Sequence, residues 1–150
     1  MVILKTKLNL RMEENIKTPQ QVLETMLERD AFSKWMGLQV DEVKEGYCKL
    51  HYRVKDEMLN GFLSIHGGIL FSAADSAFAF ACNSHGIFAV ALDVTISFAR
   101  PAKTGEVLTV EAQEIYVGKK TGIYDIKTTN EKGELVAVFK GTAYRTSTKV

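Results

Sequence analysis

The run from Gly67 to Asn83, GGILFSAADSAFAFACN, restricts what this chain can fold into more than any other segment. On a helical wheel its apolar residues fall on every side, so a helix here has no face to turn to water and must be buried all round. Asp75 is the one charged side chain between His66 and His85, with Ser72 and Ser76 the polar groups nearest it. The apolar part, Ile69 to Cys82, contains that Asp and falls short of the ~20 residues a membrane span needs. Other segments must therefore wrap this helix.

The flanking patterns can supply the wrapping. Thr18-Pro19-Gln20-Gln21 reads as a helix start, with a Thr cap, Pro at the first helical position and Gln at the capping-box position. Val22, Leu23, Met26, Leu27, Phe32, Trp35 and Met36 follow at helical spacing on one face, and Gly37 closes this single helix. Residues 1–17 read as an N-terminal extension and 18–150 as one domain, a length that can bury a real core. Two strands are expected at 38–44 and 47–54, turned by Glu45-Gly46. In the second, Cys48, Leu50, Tyr52 and Val54 alternate with Lys49, His51 and Arg53. Residues 60–68 form a loop rich in turn formers.

Beyond the apolar helix, Val90, Leu92, Val94, Ile96 and Phe98 alternate with Ala91, Asp93, Thr95 and Ser97. Further strands fall near 106–116, 122–129 and 135–145, separated by Lys103-Thr104-Gly105, Gly118-Lys119-Lys120 and Asn130-Glu131-Lys132-Gly133. Successive strands joined by short turns make an antiparallel sheet, and one strongly curved sheet can enclose a helix. The expected class is α+β, the hot-dog fold: an antiparallel sheet wrapped around a central apolar helix.

Charge and cysteine content narrow the function. A net charge of +1 argues against nucleic acid, which needs a strong positive excess on one face. Cys48 and Cys82 are far apart and form no CxxC pair, so they read as reduced, buried thiols rather than a disulfide framework or zinc site. Lys5 and Lys7 break the short apolar start, so no secretory signal is visible. A cytoplasmic protein with no membrane partner is expected.

Asn60-Gly61-Phe62-Leu63-Ser64-Ile65-His66-Gly67-Gly68, continuing through Ile69-Leu70-Phe71-Ser72-Ala73-Ala74-Asp75, resembles the signature of the PaaI-like (phenylacetic acid degradation) hot-dog thioesterases. There an Asn precedes an HGG turn and an Asp lies on the helix nine positions after the His, the spacing of His66 and Asp75. The similarity extends over roughly residues 36 to 145, through Phe98-Ala99-Arg100-Pro101 and Lys120-Thr121-Gly122-Ile123-Tyr124. Leu63-Ser64 stand where family members commonly carry Gly-Thr. The resemblance implies hydrolysis of acyl-CoA thioesters, aryl-acetyl ones such as phenylacetyl-CoA or medium-chain ones, by a homodimer or homotetramer. It implies no metal and no cofactor beyond the coenzyme A of the substrate.

The residues can be read against that chemistry. A thiolate leaves readily, since thiol pKa values lie near ~8.5; the harder tasks are polarising the carbonyl and delivering oxygen. Gly67 and Gly68 open a helix, where N–H groups lack internal partners and carry partial positive charge. The resemblance assigns the oxyanion contact to the Gly67 N–H. Asp75 is costly to bury unless something answers its charge; it either accepts a hydrogen bond from a neighbouring strand as a core polar link, activates water or attacks the thioester itself. Asn60 either holds the water or carbonyl or stabilises the turn, and His66 either braces the turn and lines the pocket or carries protons.

Arg100, Lys119 and Lys120 are candidates for the phosphates of the CoA tail, although Gly118-Lys119-Lys120-Thr121 is no P-loop. Gly67 and Asp75 differ by ~12 Å along one helix at 1.5 Å per residue, so a single carbonyl carbon meets both only if they come from different subunits. The alternative from another class is a non-catalytic acyl-CoA-binding or sensing module.

Overall fold

In the computed structural model, which describes residues 16–150, Thr18 opens α1 (Pro19–Glu28) as its sequence requires. Its hydroxyl accepts from the Gln21 N–H while the Gln21 side chain accepts from the Thr18 N–H. The expected single helix up to Gly37 is in fact two. Asp30 ends the first by capping a second, α2 (Ala31–Met36): its carboxylate accepts from the Ser33 N–H at 2.8 Å and the Ser33 hydroxyl at 2.6 Å. A side chain that satisfies the free N–H groups of a new helix competes with continuing the old one. Gly37 closes α2 at φ +74°, a left-handed conformation suited to glycine.

The remaining elements are β1 (Gln39–Lys44), β2 (Tyr47–Arg53), a 3₁₀ turn at Asp56–Met58, α3 (Gly67–Asn83), β3 (Ile87–Phe98), β4 (Val107–Val117), β5 (Thr121–Thr129) and β6 (Leu135–Lys149). The strands form one sheet in the order β1-β2-β4-β5-β6-β3, antiparallel at every junction. β1 and β3 are its edges. The hot-dog arrangement read from the sequence is thus the fold, with α3 lying on the concave face.

Aromatic packing seats the helix. Phe78 meets Tyr124 with ring centroids 5.4 Å apart and Phe139 at 5.9 Å, while Phe71 packs edge-on against Phe139 at 5.4 Å. Gly141 lets β6 pass beneath Phe78, for a Cβ there would come within 2.9 Å of the ring. Burial of a side chain such as Phe78 contributes roughly 1.5–3 kcal/mol.

Two features depart from the pattern. The sheet covers Leu70, Ala73, Ala74, Ala77, Phe78 and Ala81 but leaves Ser72, Asp75, Ser76 and Ala79 half-buried. That stripe has helical spacing, so the described residues do not enclose α3 all round. On β3, the alternation of Val90 to Phe98 does not hold one face. A bulge between Ala91 and Asp93 turns Val94 and Ile96 toward the core, opposite Gly141 and Phe139, while upstream it is Ala89 that is buried. Val90 and Leu92 are left exposed on a strand whose outer edge has no neighbour among the described residues. The extension expected at residues 1–17 lies almost wholly outside the described residues; Ile16 and Lys17 run against Gly86.

Candidate active site

The N-terminus of α3 is built by His66, which serves as its cap: the ring Nδ1 accepts from the Gly68 N–H at 2.8 Å. The ring thereby holds the turn. The Gly68 N–H is therefore occupied. The Gly67 N–H donates to no acceptor among the described residues. Gly67 also sits close under Phe98, whose Cζ would lie 3.0 Å from a Cβ at this position. A Cβ at this position would oblige the Phe98 ring to shift slightly, so glycine lets the ring approach the helix start this closely.

Asn60 holds the preceding loop. Its Oδ1 accepts from the Phe62 N–H at 2.8 Å and the Ser64 N–H at 3.3 Å, and its backbone N–H donates to the Ser64 carbonyl at 2.8 Å. The turn-stabilising reading of Asn60 is thus realised by the oxygen, while the amide nitrogen makes no hydrogen bond among the described residues. Leu63 adopts φ +58°, the only described non-glycine residue at positive φ. For a residue bearing a Cβ this costs about 1–2 kcal/mol. Asn60, Phe62, Ser64, Ile65, Gly67 and Arg100 line an open cavity of about 450 Å³, together with Leu70, Phe98 and Pro101.

Asp75 faces a different cavity of about 420 Å³. Its walls come from Thr25 and Met26 of α1, Phe78, Ala79 and Cys82 of α3, and Phe88 to Ala91 of β3. Burial alone raises the Asp75 carboxyl above its ordinary value of 3.8, because the charged form loses hydration with nothing answering it. Cys82 beside it is free, and burial pushes its thiol up to about 12, as it does that of Cys48; neither is set up as a nucleophile.

Within one chain the expected site residues separate into two groups. Asn60, His66, Gly67, Gly68 and Arg100 gather at the N-terminus of α3, and Asp75 stands apart, two turns along the helix. Arg100 lies near Val136 on β6 and pairs with Glu134 at 3.5 Å. Lys119 and Lys120 lie at the β4–β5 turn beside the other end of β6, with the Lys120 Nζ 5.8 Å from the Tyr144 ring centroid. The three cations therefore do not converge within one chain. His51 and His85 pair with Asp41 at 2.8 Å and Glu114 at 2.6 Å. Phe62, Phe98, Met26 and Phe88 form cavity walls without having been expected as site residues; the one signal for the first two is that they lie within the stretches that carry the family resemblance.

A single antiparallel sheet wrapped around one helix, with cavities at opposite ends of an edge strand, is the hot-dog architecture. Comparison with known proteins gives the same class. Residues 63–137 match the family model described as the thioesterase superfamily. Acyl-coenzyme A thioesterase PaaI of Escherichia coli is 47% identical over 120 residues, 80% of this chain and 86% of that protein. The solved E. coli PaaI structure superposes with a TM-score of 0.86 at 44% identity, covering 87% of this chain and 95% of that one. A Streptococcus mutans protein solved bound to acetyl CoA superposes with a TM-score of 0.73 at 25% identity, over 75% of this chain and 91% of its own. The chain belongs to the thioesterase superfamily as a PaaI-like hot-dog thioesterase.

Proposed function

We propose that this chain hydrolyses acyl-CoA thioesters to the free acid and coenzyme A, at a site shared between two subunits. One observation carries this reading: the donor and the carboxylate sit at opposite ends of the free edge strand. Gly67 is against Phe98, at the end of β3, and the Asp75 cavity is walled by Phe88 to Ala91, at its start. Pairing two copies of β3 antiparallel about a two-fold axis sets the start of each strand beside the end of the other. The partner's Gly67 then meets Asp75, and the half-buried stripe of Ser72, Asp75, Ser76 and Ala79 gains its cover.

In that site the thioester carbonyl oxygen points at the Gly67 N–H, whose position at a helix start favours the developing negative charge. Water attacks the carbonyl carbon while Asp75 takes its proton, a task suited to a carboxylate whose basicity burial has raised. The tetrahedral intermediate collapses with loss of the coenzyme A thiolate, which takes up the proton from Asp75. The Asn60 amide nitrogen donates to the water or the carbonyl, and the Asp75 cavity receives the acyl group. Its apolar lining and about 420 Å³ suit an aryl-acetyl or medium-chain acyl group. Arg100 of one subunit, with Lys119 and Lys120, attracts the phosphates. The proposed steps draw on Asp75, the Gly67 N–H and Asn60, and they call for no cofactor beyond the coenzyme A of the substrate.

The outer sheet face carries a second apolar strip, Ile115, Tyr116, Ile123 and Tyr144; two dimers stacked there would make a tetramer. We further read the enzyme as cytoplasmic, consistent with two unpaired thiols. Among the described residues no helix is long and apolar enough to cross a membrane.

Subunit mixing tests the shared site. Gly67 is the first residue of α3, where proline is tolerated and simply deletes the N–H. Gly67→Pro should lower kcat by about 10²–10³, while Gly67→Ala, which adds the same crowding against Phe98 but keeps the N–H, falls far less. Mixing inactive Gly67→Pro and Asp75→Asn subunits should restore about a quarter of wild-type activity, since half the dimers then carry one complete site. No recovery on mixing would place the site within one chain, and acyl-CoA binding without thiol release would make the protein a sensor. Single turnover in ¹⁸O-water should label the acid product; label in Asp75 instead would make that residue the nucleophile.

A further inference from the structure

We infer that the loop tip Phe62–Leu63 grips the thiol-side arm of the substrate, the amide-linked chain that joins the reacting sulfur to the nucleotide of coenzyme A. The inference rests on the acyl-CoA reading above. Phe62 is 91% exposed and Leu63 75% exposed, yet the tip is not slack. Asn60 anchors it through two N–H groups, and the Leu63 N–H donates back to the Asn60 carbonyl at 3.0 Å. Two large apolar side chains are thus held out into solvent by a closed turn.

Leu63 makes this more pointed. At φ +58° a glycine would sit freely, whereas a leucine is strained and gains no burial in return. Strain that local packing does not answer directs attention to what the side chain meets outside its own chain.

The choice of ligand follows from which cavity the tip borders. Phe62 lines the Gly67 cavity, not the Asp75 cavity. The Asp75 cavity is closed on one side by α1 and lined mainly by apolar residues, so it takes the acyl group. The Gly67 cavity opens past exposed Ala99, Arg100 and Pro101. A chain leading from the sulfur toward an anionic nucleotide leaves by that opening, along the rim where Phe62 and the cationic Arg100 stand. Its amides and methyl groups suit an aromatic face and a branched aliphatic tip.

Calorimetry with free coenzyme A, and with adenosine 3′,5′-bisphosphate, which lacks the arm, tests this. Phe62→Ala and Leu63→Gly should each weaken coenzyme A binding about fivefold to tenfold, as expected for losing part of a buried apolar contact. Binding of the bisphosphate should stay the same. The preference in kcat/KM for a CoA thioester over the N-acetylcysteamine thioester of the same acid should shrink by a similar factor, with Leu63→Gly melting no lower than wild type.

Equal weakening of coenzyme A and bisphosphate would overturn the inference. So would a changed preference between acyl groups with the arm preference intact, or altered sedimentation with coenzyme A binding intact, which would put the tip against a partner subunit. A wild-type protein that hydrolyses no thioester would sink the proposed reaction, and the calorimetry would still decide this contact.

Discussion

In the proposed reaction the two ends of β3 carry complementary halves of one chemistry. At its Phe98 end the cavity is open and rimmed by a turn, and its working group is a backbone N–H whose position is set by a cap, a glycine and an aromatic ring. At its Phe88 end the cavity is walled by three elements, and its working group is a side chain that burial makes more basic. Neither end holds what the other supplies. On the proposed mechanism a single copy of this fold is chemically incomplete, and the strand edge left unpaired among the described residues is the means of completing it.

The largest test of that contrast is Asp75→Asn, which should cut kcat by about 10²–10⁴ while thiol-ester binding at the Gly67 end persists. Thiol-release kinetics measure the loss, and undiminished turnover would break the pairing of the two ends. Next in size, Ala79→Leu narrows the Asp75 cavity and leaves the other end alone. It should lower kcat/KM for phenylacetyl-CoA relative to acetyl-CoA by about 10–200-fold; an unchanged ratio would mean that the acyl group does not enter there.

The pH dependence is subtler. The rate should fall as pH drops through the elevated Asp75 value, so the acid limb of kcat/KM should turn above the ordinary 3.8 and vanish from the residual rate of Asp75→Asn. A carboxyl whose value is raised on folding holds its proton more tightly in the native state. Its stability contribution is therefore fully present below the unfolded value and is lost as pH rises through the folded one. Asp75→Asn should consequently melt higher than wild type at neutral pH, the gap closing in acid; a lower melting point would mean that the carboxylate has a stabilising partner.

The smallest effect belongs to His66. His66→Ala should cost about 1 kcal/mol as a lost cap, and His66→Asn, able to accept from the same N–H, should recover it with kcat little changed. A large loss of kcat in the Asn variant would make His66 a proton carrier.

Much of this was legible from residue order. The all-apolar helix with one acid, the capping box at Thr18 and the alternation in β2 gave the class of fold, because burial periodicity is a local property of the chain. The break at Asp30 escaped notice because apolar spacing continues across it while the cap acts through one side chain. The bulge in β3 escaped too, since its alternation is regular in sequence and only pairing with β6 reveals the slip.

Sequence by itself determined that α3 must be wrapped and that Asp75 stands alone in apolar surroundings. It also determined that the Gly67 turn precedes that acid by two helical turns. Tertiary structure alone decided that the sheet leaves the Asp75 stripe uncovered, that His66 consumes the Gly68 N–H and leaves that of Gly67, and that the two cavities fall at opposite ends of one free strand. Those facts depend on curvature, register and long-range packing, where residues far apart in the chain meet, and no local periodicity encodes such meetings.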